Sequence, residues 1–214
     1  MSIKVVPYRI GSTKEIKELY RDWVLQRSFE GLVITEQKGD LYRIHKLKTW
    51  HNIDAVIIAM DTTGKTWDKG IFGSLYLAIM DKQGLLIEIG KMSGGTEEWK
   101  ASMRKKLMKD KDKEVKGKLF VKPRYVVEVT FLEIAPGKEH WEAFKIGPGG
   151  TLKSTTLPPE YKRLKPFSIR SGLKYVRDRP DKEVNWRDIR IEQIPEFFGK
   201  TGREQLLKKF KKVL

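Results

Sequence analysis

The chain has 214 residues and a formal net charge of +16, with 44 Lys and Arg against 28 Asp and Glu. It contains no cysteine, which excludes disulfides, thiolate metal sites and cysteine nucleophiles, and no apolar run approaches the roughly 18 residues of a membrane span. So large an excess of base points to a polyanionic partner, nucleic acid before an anionic membrane surface.

The apolar share, 39%, suits a protein with a core of ordinary size: one sizeable domain or two small ones. Two asparagines and five glutamines against 34% charged residues point to a heat-adapted source. The opening MSIKVVPYRIGST has no apolar stretch followed by a cleavage site, so the expected location is the cytoplasm.

In chain order, the first element is a helix from about Ser12 to Gln26. Ser12 and Glu15 form a capping box, and Ile16, Leu19, Tyr20, Trp23 and Val24 fall on one face. Glu30 to Ile34 reads as a strand, Lys38-Gly39-Asp40 as a turn, and Leu41 to Lys48 as the hairpin partner. This unit of about 50 residues is too small to close a core alone.

From Asp54 the pattern changes to short strands, DAVIIAM, GSLYLAIMD, GLLIEIGKM and YVVEVTFLEI, separated by turn residues. Thr96 to Lys113, with Trp99, Met103 and Leu107 four apart, reads as a helix between the third and fourth strands. Strands, a helix and more strands suit a small, partly open barrel. Thr151 to Pro166, with three prolines, reads as an irregular connection. The last fourteen residues, TGREQLLKKFKKVL, read as an amphipathic helix capped by Thr201 and Glu204. Lys100 to Arg124 concentrates the charge, with eleven basic and three acidic residues.

Ala59 to Thr66 satisfies a loose phosphate-loop pattern, but Trp67 to Gly73 is turn-like and leads into another strand, so a hairpin loop is expected there. His45, His51 and His140 have no metal-ligand spacing with carboxylates, and no nucleophile elbow occurs.

Four pieces then stand in one order: Glu30-Gly31-Leu32-Val33; His45-Lys46-Leu47-Lys48; the barrel stretches GSLYLAIMD and GLLIEIGKMSGG followed by YVVEVTFLEI; and Val176-Arg177-Asp178-Arg179-Pro180-Asp181-Lys182. In these the chain resembles, over almost its whole length, the ATP-dependent DNA ligases of the covalent nucleotidyltransferase superfamily. EGLV is similar to their motif IV, KLK to motif V, and RDRPDK to motif VI. The resemblance implies a mixed α+β, mostly β fold. A helix-plus-β-hairpin piece of the adenylation (nucleotidyltransferase) domain would occupy residues 1–52, and an OB-fold DNA-binding domain residues 53–214. It implies ATP and Mg2+ as cofactors and nicked double-stranded DNA as substrate, sealed in replication, repair or recombination, with no part for a membrane.

The same resemblance assigns roles. Glu30 holds the metal beside the α-phosphate, and Lys46 and Lys48, two apart on one strand, contact that phosphate. Arg177, Arg179, Asp181 and Lys182 orient the leaving pyrophosphate when the barrel domain closes on the nucleotide. Lys91, Arg104, Lys105, Lys106, Lys122 and Arg124 are the expected DNA contacts. Thr35 stands where the family carries a basic residue, and no Lys-x-Asp-Gly occurs in the sequence, so the nucleophilic lysine is expected on a second polypeptide. Such a chain is expected to be a split subunit, a fragment or a relic used for binding, not adenylated by itself. Two alternatives are a non-catalytic OB-fold DNA-binding protein and an RNA ligase or capping-type nucleotidyltransferase.

Overall fold

The computed structural model describes residues 7–27, 31–48, 50–136, 142–157, 167–170 and 172–194. The C-terminal segment 201–214, read above as a helix, lies outside the described residues. The chain divides into two compact units, 1–49 and 50–214, and its fold is mixed α+β and mostly β. Among the described residues no helix is long and apolar enough to cross a membrane.

The first unit begins with α1 (Thr13–Leu19), which continues as a π-helical turn pair over Tyr20–Gln26. Glu15 closes the start of α1: its carboxylate accepts from the Ser12 backbone N–H at 2.6 Å and from the Ser12 hydroxyl at 3.0 Å. β1 (Gly31–Lys38) and β2 (Leu41–Lys48) then pair antiparallel around Gly39, whose φ of +62° lets the chain reverse. β1 runs four residues beyond the strand expected from the sequence. Val24 and Leu32 are the buried apolar residues described in this unit, whereas Val33, Leu41, Tyr42 and Ile44 are exposed.

The second unit is built on β3 (His51–Asp61), α2 (Lys65–Asp68), β4 (Leu75–Met80), β5 (Leu86–Ser93), α3 (Glu97–Lys109), β6 (Lys111–Val115), β7 (Lys118–Val121), β8 (Val126–Phe131), β9 (Glu133–Pro136), β10 (Ala143–Ile146), β11 (Leu152–Thr155), β12 (Phe167–Arg170) and β13 (Leu173–Asp178). β3 pairs antiparallel with β4, β4 with β5, β8 with β3 and β13 with β8; β5 and β13 are parallel. These five pairings return to their start, so the sheet closes into a five-stranded barrel. Register shifts at Ile57/Ala59, Leu77/Ala78 and Tyr175/Arg177 supply the bends that closure needs. The hairpins β6–β7 and β10–β11 extend the sheet beyond the ring, and β9 pairs with β12.

Alternation along the strands sorts the core into two layers. Ile53, Ala55 and Ile57 join Leu75, Leu77, Ile79, Ile87, Ile89, Val127, Val129 and Phe131 in one cluster, with Met103 and Leu107 of α3. Val56, Ile58, Ala78, Leu86 and Val126 face a second cluster with Phe120, Phe144, Leu152 and Ile189. Both faces of β3 are therefore buried from Ala55 to Met60, which explains why DAVIIAM reads as a continuous apolar run rather than an alternating one.

Four expectations are corrected. The helix begun at Thr96 ends at Lys109, not Lys113. Its last stretch is strand β6, because Lys116 (φ +50°) and Gly117 (φ +75°) turn the chain back into β7. YVVEVTFLEI breaks at Leu132 into β8 and β9. The connection after Thr151 contains β11, which pairs with β10; residues 158–166 are outside the described set. The loop 61–74, expected to be a plain hairpin loop, carries the four-residue helix α2.

Candidate nucleotide and DNA site

Three neighbouring strands bring one row of charge together. On β3, Asp54 stands opposite Glu128 of β8, and Glu128 stands opposite Arg177 of β13. Two carboxylates side by side in a half-buried row need cations, and the motif that follows β13 supplies them. Arg177 donates from Nε to Glu128 at 2.7 Å, while the other Glu128 oxygen accepts from Asn52 at 2.9 Å. The Arg179 backbone N–H donates to the Val126 carbonyl at 2.9 Å, continuing the ladder one step past the strand.

Arg179 is the hub of the row. Its Nη1 lies 2.6 Å from Asp54 and 3.8 Å from Glu128, and its Nε and Nη2 meet both oxygens of Asp181 at 3.0 and 2.8 Å. That two-point bond from Arg179 holds the Asp181 carboxyl down at about 2. Burial pushes Asp54 above the ordinary carboxylate range, against the pull of Arg179 and Lys182. The backbone of Asp54 is itself clamped: its N–H donates to Gln193 Oε1 at 2.8 Å and its carbonyl accepts from Gln193 Nε2 at 3.0 Å.

The flanking residues are tied as firmly. Lys182 donates to Asp188 at 2.9 Å; the Glu183 backbone N–H and then Lys182 lower the Asp188 carboxyl. Asp178 accepts from the Trp99 indole at 2.9 Å and the Tyr175 hydroxyl at 3.0 Å, fastening α3 to β13. Burial, then Asp178, pushes the Tyr175 phenol up to about 12.

The structure thus brings Arg177, Arg179, Asp181 and Lys182 to one end of β13. It separates them by exposure: the Arg177 side chain is 64% exposed and that of Arg179 16%. Asp54, Glu128, Asn52 and Gln193 were not singled out from the sequence. The available signal was an acidic residue inside an apolar strand, in NIDAVII and VVEVTF, which needs a partner once buried.

In the first unit, Lys46 and Lys48 stand opposite Val33 and Gly31 on β2, two positions apart, and Lys46 is exposed. Glu30 lies outside the described residues. Among those described, no three His, Asp or Glu gather as a metal cage.

The expected DNA contacts fall into two kinds. Lys105 and Lys106 are exposed on α3, with no ion pair among the described residues. Three others are engaged through their side chains. Lys91 lies 2.9 Å from Asp61 and Arg124 3.1 Å from Asp110, while Arg104 lies over the Trp67 ring at 3.8 Å and donates to its carbonyl at 3.0 Å. Lys122 is half-buried and its backbone N–H donates to the Asp110 carbonyl.

No protein-family model matches the chain. A DNA ligase of Methanocorpusculum labreanum is 28% identical to it over 141 residues, 63% of this chain. The chain spans 26% of that ligase's length. Among solved structures, the ligase domain of M. tuberculosis LigD aligns with 67% of this chain and 42% of its own, at 22% identity and a TM-score of 0.42. A mycobacterial DNA ligase D complexed with ATP and MES aligns with 67% of this chain and 41% of its own, at 22% identity and a TM-score of 0.39. The resemblance read from the four motifs is thus met by an independent likeness to a DNA ligase.

Proposed function

We propose that this chain is the C-terminal portion of an ATP-dependent DNA ligase, acting on nicked duplex DNA once a polypeptide with a Lys-x-Asp-Gly nucleophile completes it. The observation that carries the reading is the seating of RDRPDK at the rim of a closed five-stranded barrel, in a chain similar to a DNA ligase. The first unit, residues 1–49, then belongs to the adenylation domain. The second, residues 50–214, is an OB-fold, whose helix between the third and fourth ring strands is α3.

ATP supplies the AMP group to be transferred and pyrophosphate as the leaving group. Lys46 and Lys48 contact the α-phosphate. Arg177, with its guanidinium edge in solvent, contacts the pyrophosphate; Lys182 does so on leaving Asp188. Arg179 and Asp181 are positioning residues, since their mutual pair and Asp54 fix the turn that carries Lys182. Glu30 would hold Mg2+ by its place in the sequence, and the metal would offset the negative charge that builds on the α-phosphate.

The test is reconstitution. Labelled ATP should leave the chain alone unlabelled and should label the lysine of an added Lys-x-Asp-Gly polypeptide; label on this chain refutes the reading. In single-turnover assays, Arg177→Ala and Lys182→Ala should suppress adenylation by about 2–4 kcal/mol. Sealing of pre-adenylated nicks should survive, because no pyrophosphate leaves in that step. Lys46→Ala and Lys48→Ala should impair both.

One observation favours a second reading, a non-catalytic DNA-binding OB-fold. The three cations of the motif face four carboxylates, Asp54, Glu128, Asp181 and Asp188, a ratio suited to holding a fold together as much as to holding an anion. A reconstituted mixture that binds DNA yet never adenylates would establish it.

A further inference from the structure

Glu128 has no role in the motif as read from the sequence, yet it lies against both of the motif's arginines. Its side chain is 13% exposed and is pinned from three sides: Arg177 Nε on one oxygen at 2.7 Å, Asn52 on the other at 2.9 Å, and Arg179 Nη1 at 3.8 Å. So held, the carboxylate is a fixed negative charge. Arg177 meets it through Nε, which leaves the two Nη groups of an exposed side chain as the edge that an anion can approach.

We propose that Glu128 is a positioning residue that limits how tightly Arg177 holds a polyphosphate. Its bond to Nε fixes the direction of the guanidinium, and its charge, unable to swing aside, opposes an anion on the Nη edge. The ligand class is the pyrophosphate end of a nucleoside triphosphate, so the inference rests on the ligase reading of Arg177. The chemistry gives the restraint a purpose. A leaving pyrophosphate has to be oriented and then released, and a nearby fixed carboxylate weakens the hold on product without removing the cation that aligns it.

The test is calorimetric titration of inorganic tripolyphosphate into the full 214-residue chain at low salt. Glu128→Gln keeps the size and an acceptor for Nε while removing the charge, and should raise affinity about tenfold. In an Arg177→Ala background, where residual binding measures the remaining basic surface, the same change should give no gain. Affinity unchanged or lowered by E128Q overturns the proposal, and so does a gain that persists without Arg177. Weaker binding by R177A together with a flat E128Q response sinks this inference alone; no loss in R177A sinks the reading of Arg177 itself. If E128Q does not fold, Asn52→Ala serves, since it unpins Glu128 without changing charge. It should raise affinity about threefold, and no rise overturns the proposal.

Discussion

Arg177 and Arg179 are two positions apart in one motif, yet the barrel puts them to opposite uses. Arg179 is largely buried and bound to Asp54 and Asp181, whereas Arg177 keeps most of its side chain in solvent. Removing Arg179 leaves Asp54 half-buried without its ion-pair partner, beside Glu128 and with the more distant Lys182 as its remaining cationic pull. Losing one partner of a fully buried pair costs about 3–5 kcal/mol, so Arg179→Ala at this rim should cost about 2 kcal/mol of stability. Arg177→Ala should change stability by under about 0.5 kcal/mol. Urea unfolding of both variants checks this, and equal losses would erase the distinction between the two arginines. The motif itself was legible as residue types at fixed spacing. Its counter-charges were not: Asp54 and Glu128 lie 125 and 51 positions before Arg179, and the pairing register that joins them follows from barrel closure.

Elements were legible where period and punctuation agreed. The Ser12–Glu15 box, the Gly39 turn and the face of Met103 and Leu107 all occur as read. The β6–β7 hairpin was missed because its lysines suit a helix as well as an exposed strand, and only Lys116-Gly117 marks the reversal. Two tests belong at this scale. Gly95, with φ +77° before α3, has the Trp99 ring where a Cβ would stand, so Gly95→Ala should destabilise by about 1–3 kcal/mol and weaken the Trp99–Asp178 bond. Thermal melts with tryptophan fluorescence would show it; an unchanged melting temperature would contradict the packing. The second concerns Asp61, which ends β3. Burial would raise its carboxyl, but hydrogen bonds from Thr63 and Lys91 outweigh burial and hold it at about 2. A carboxylate depressed in the folded state stabilises above its unfolded pKa, near 4, and loses that contribution as pH falls through 2. About 2 kcal/mol should therefore be lost between pH 4 and 2, and Asp61→Asn should lose it at neutral pH and flatten that part of the profile. A mutant with the parent's acid profile would assign the loss elsewhere.

Over the whole molecule, charge decides less by its total than by how much is already spent inside the fold. The net +16 pointed to a polyanion, but the six expected DNA contacts are not equivalent. Lys91 and Arg124 are paired with Asp61 and Asp110, and Arg104 lies on Trp67, while Lys105 and Lys106 are exposed on α3. A phosphate that displaces an internal carboxylate must first break an ion pair, whereas one that meets a solvated lysine releases counterions outright. Each phosphate so neutralised adds about 0.9 to the slope of log affinity against log salt. Lys105→Ala with Lys106→Ala should then weaken duplex binding at low salt and flatten the slope by nearly 2, alike on unrelated sequences. Lys91→Ala with Arg124→Ala should flatten it by clearly less and should instead lower the melting temperature, since Asp61 and Asp110 lose their cations. Fluorescence anisotropy on a nicked duplex between 50 and 200 mM salt, repeated on a second sequence, measures both slopes. If the paired residues carry the larger one, α3 is not the face that meets the backbone, and the internal ion pairs open when DNA binds.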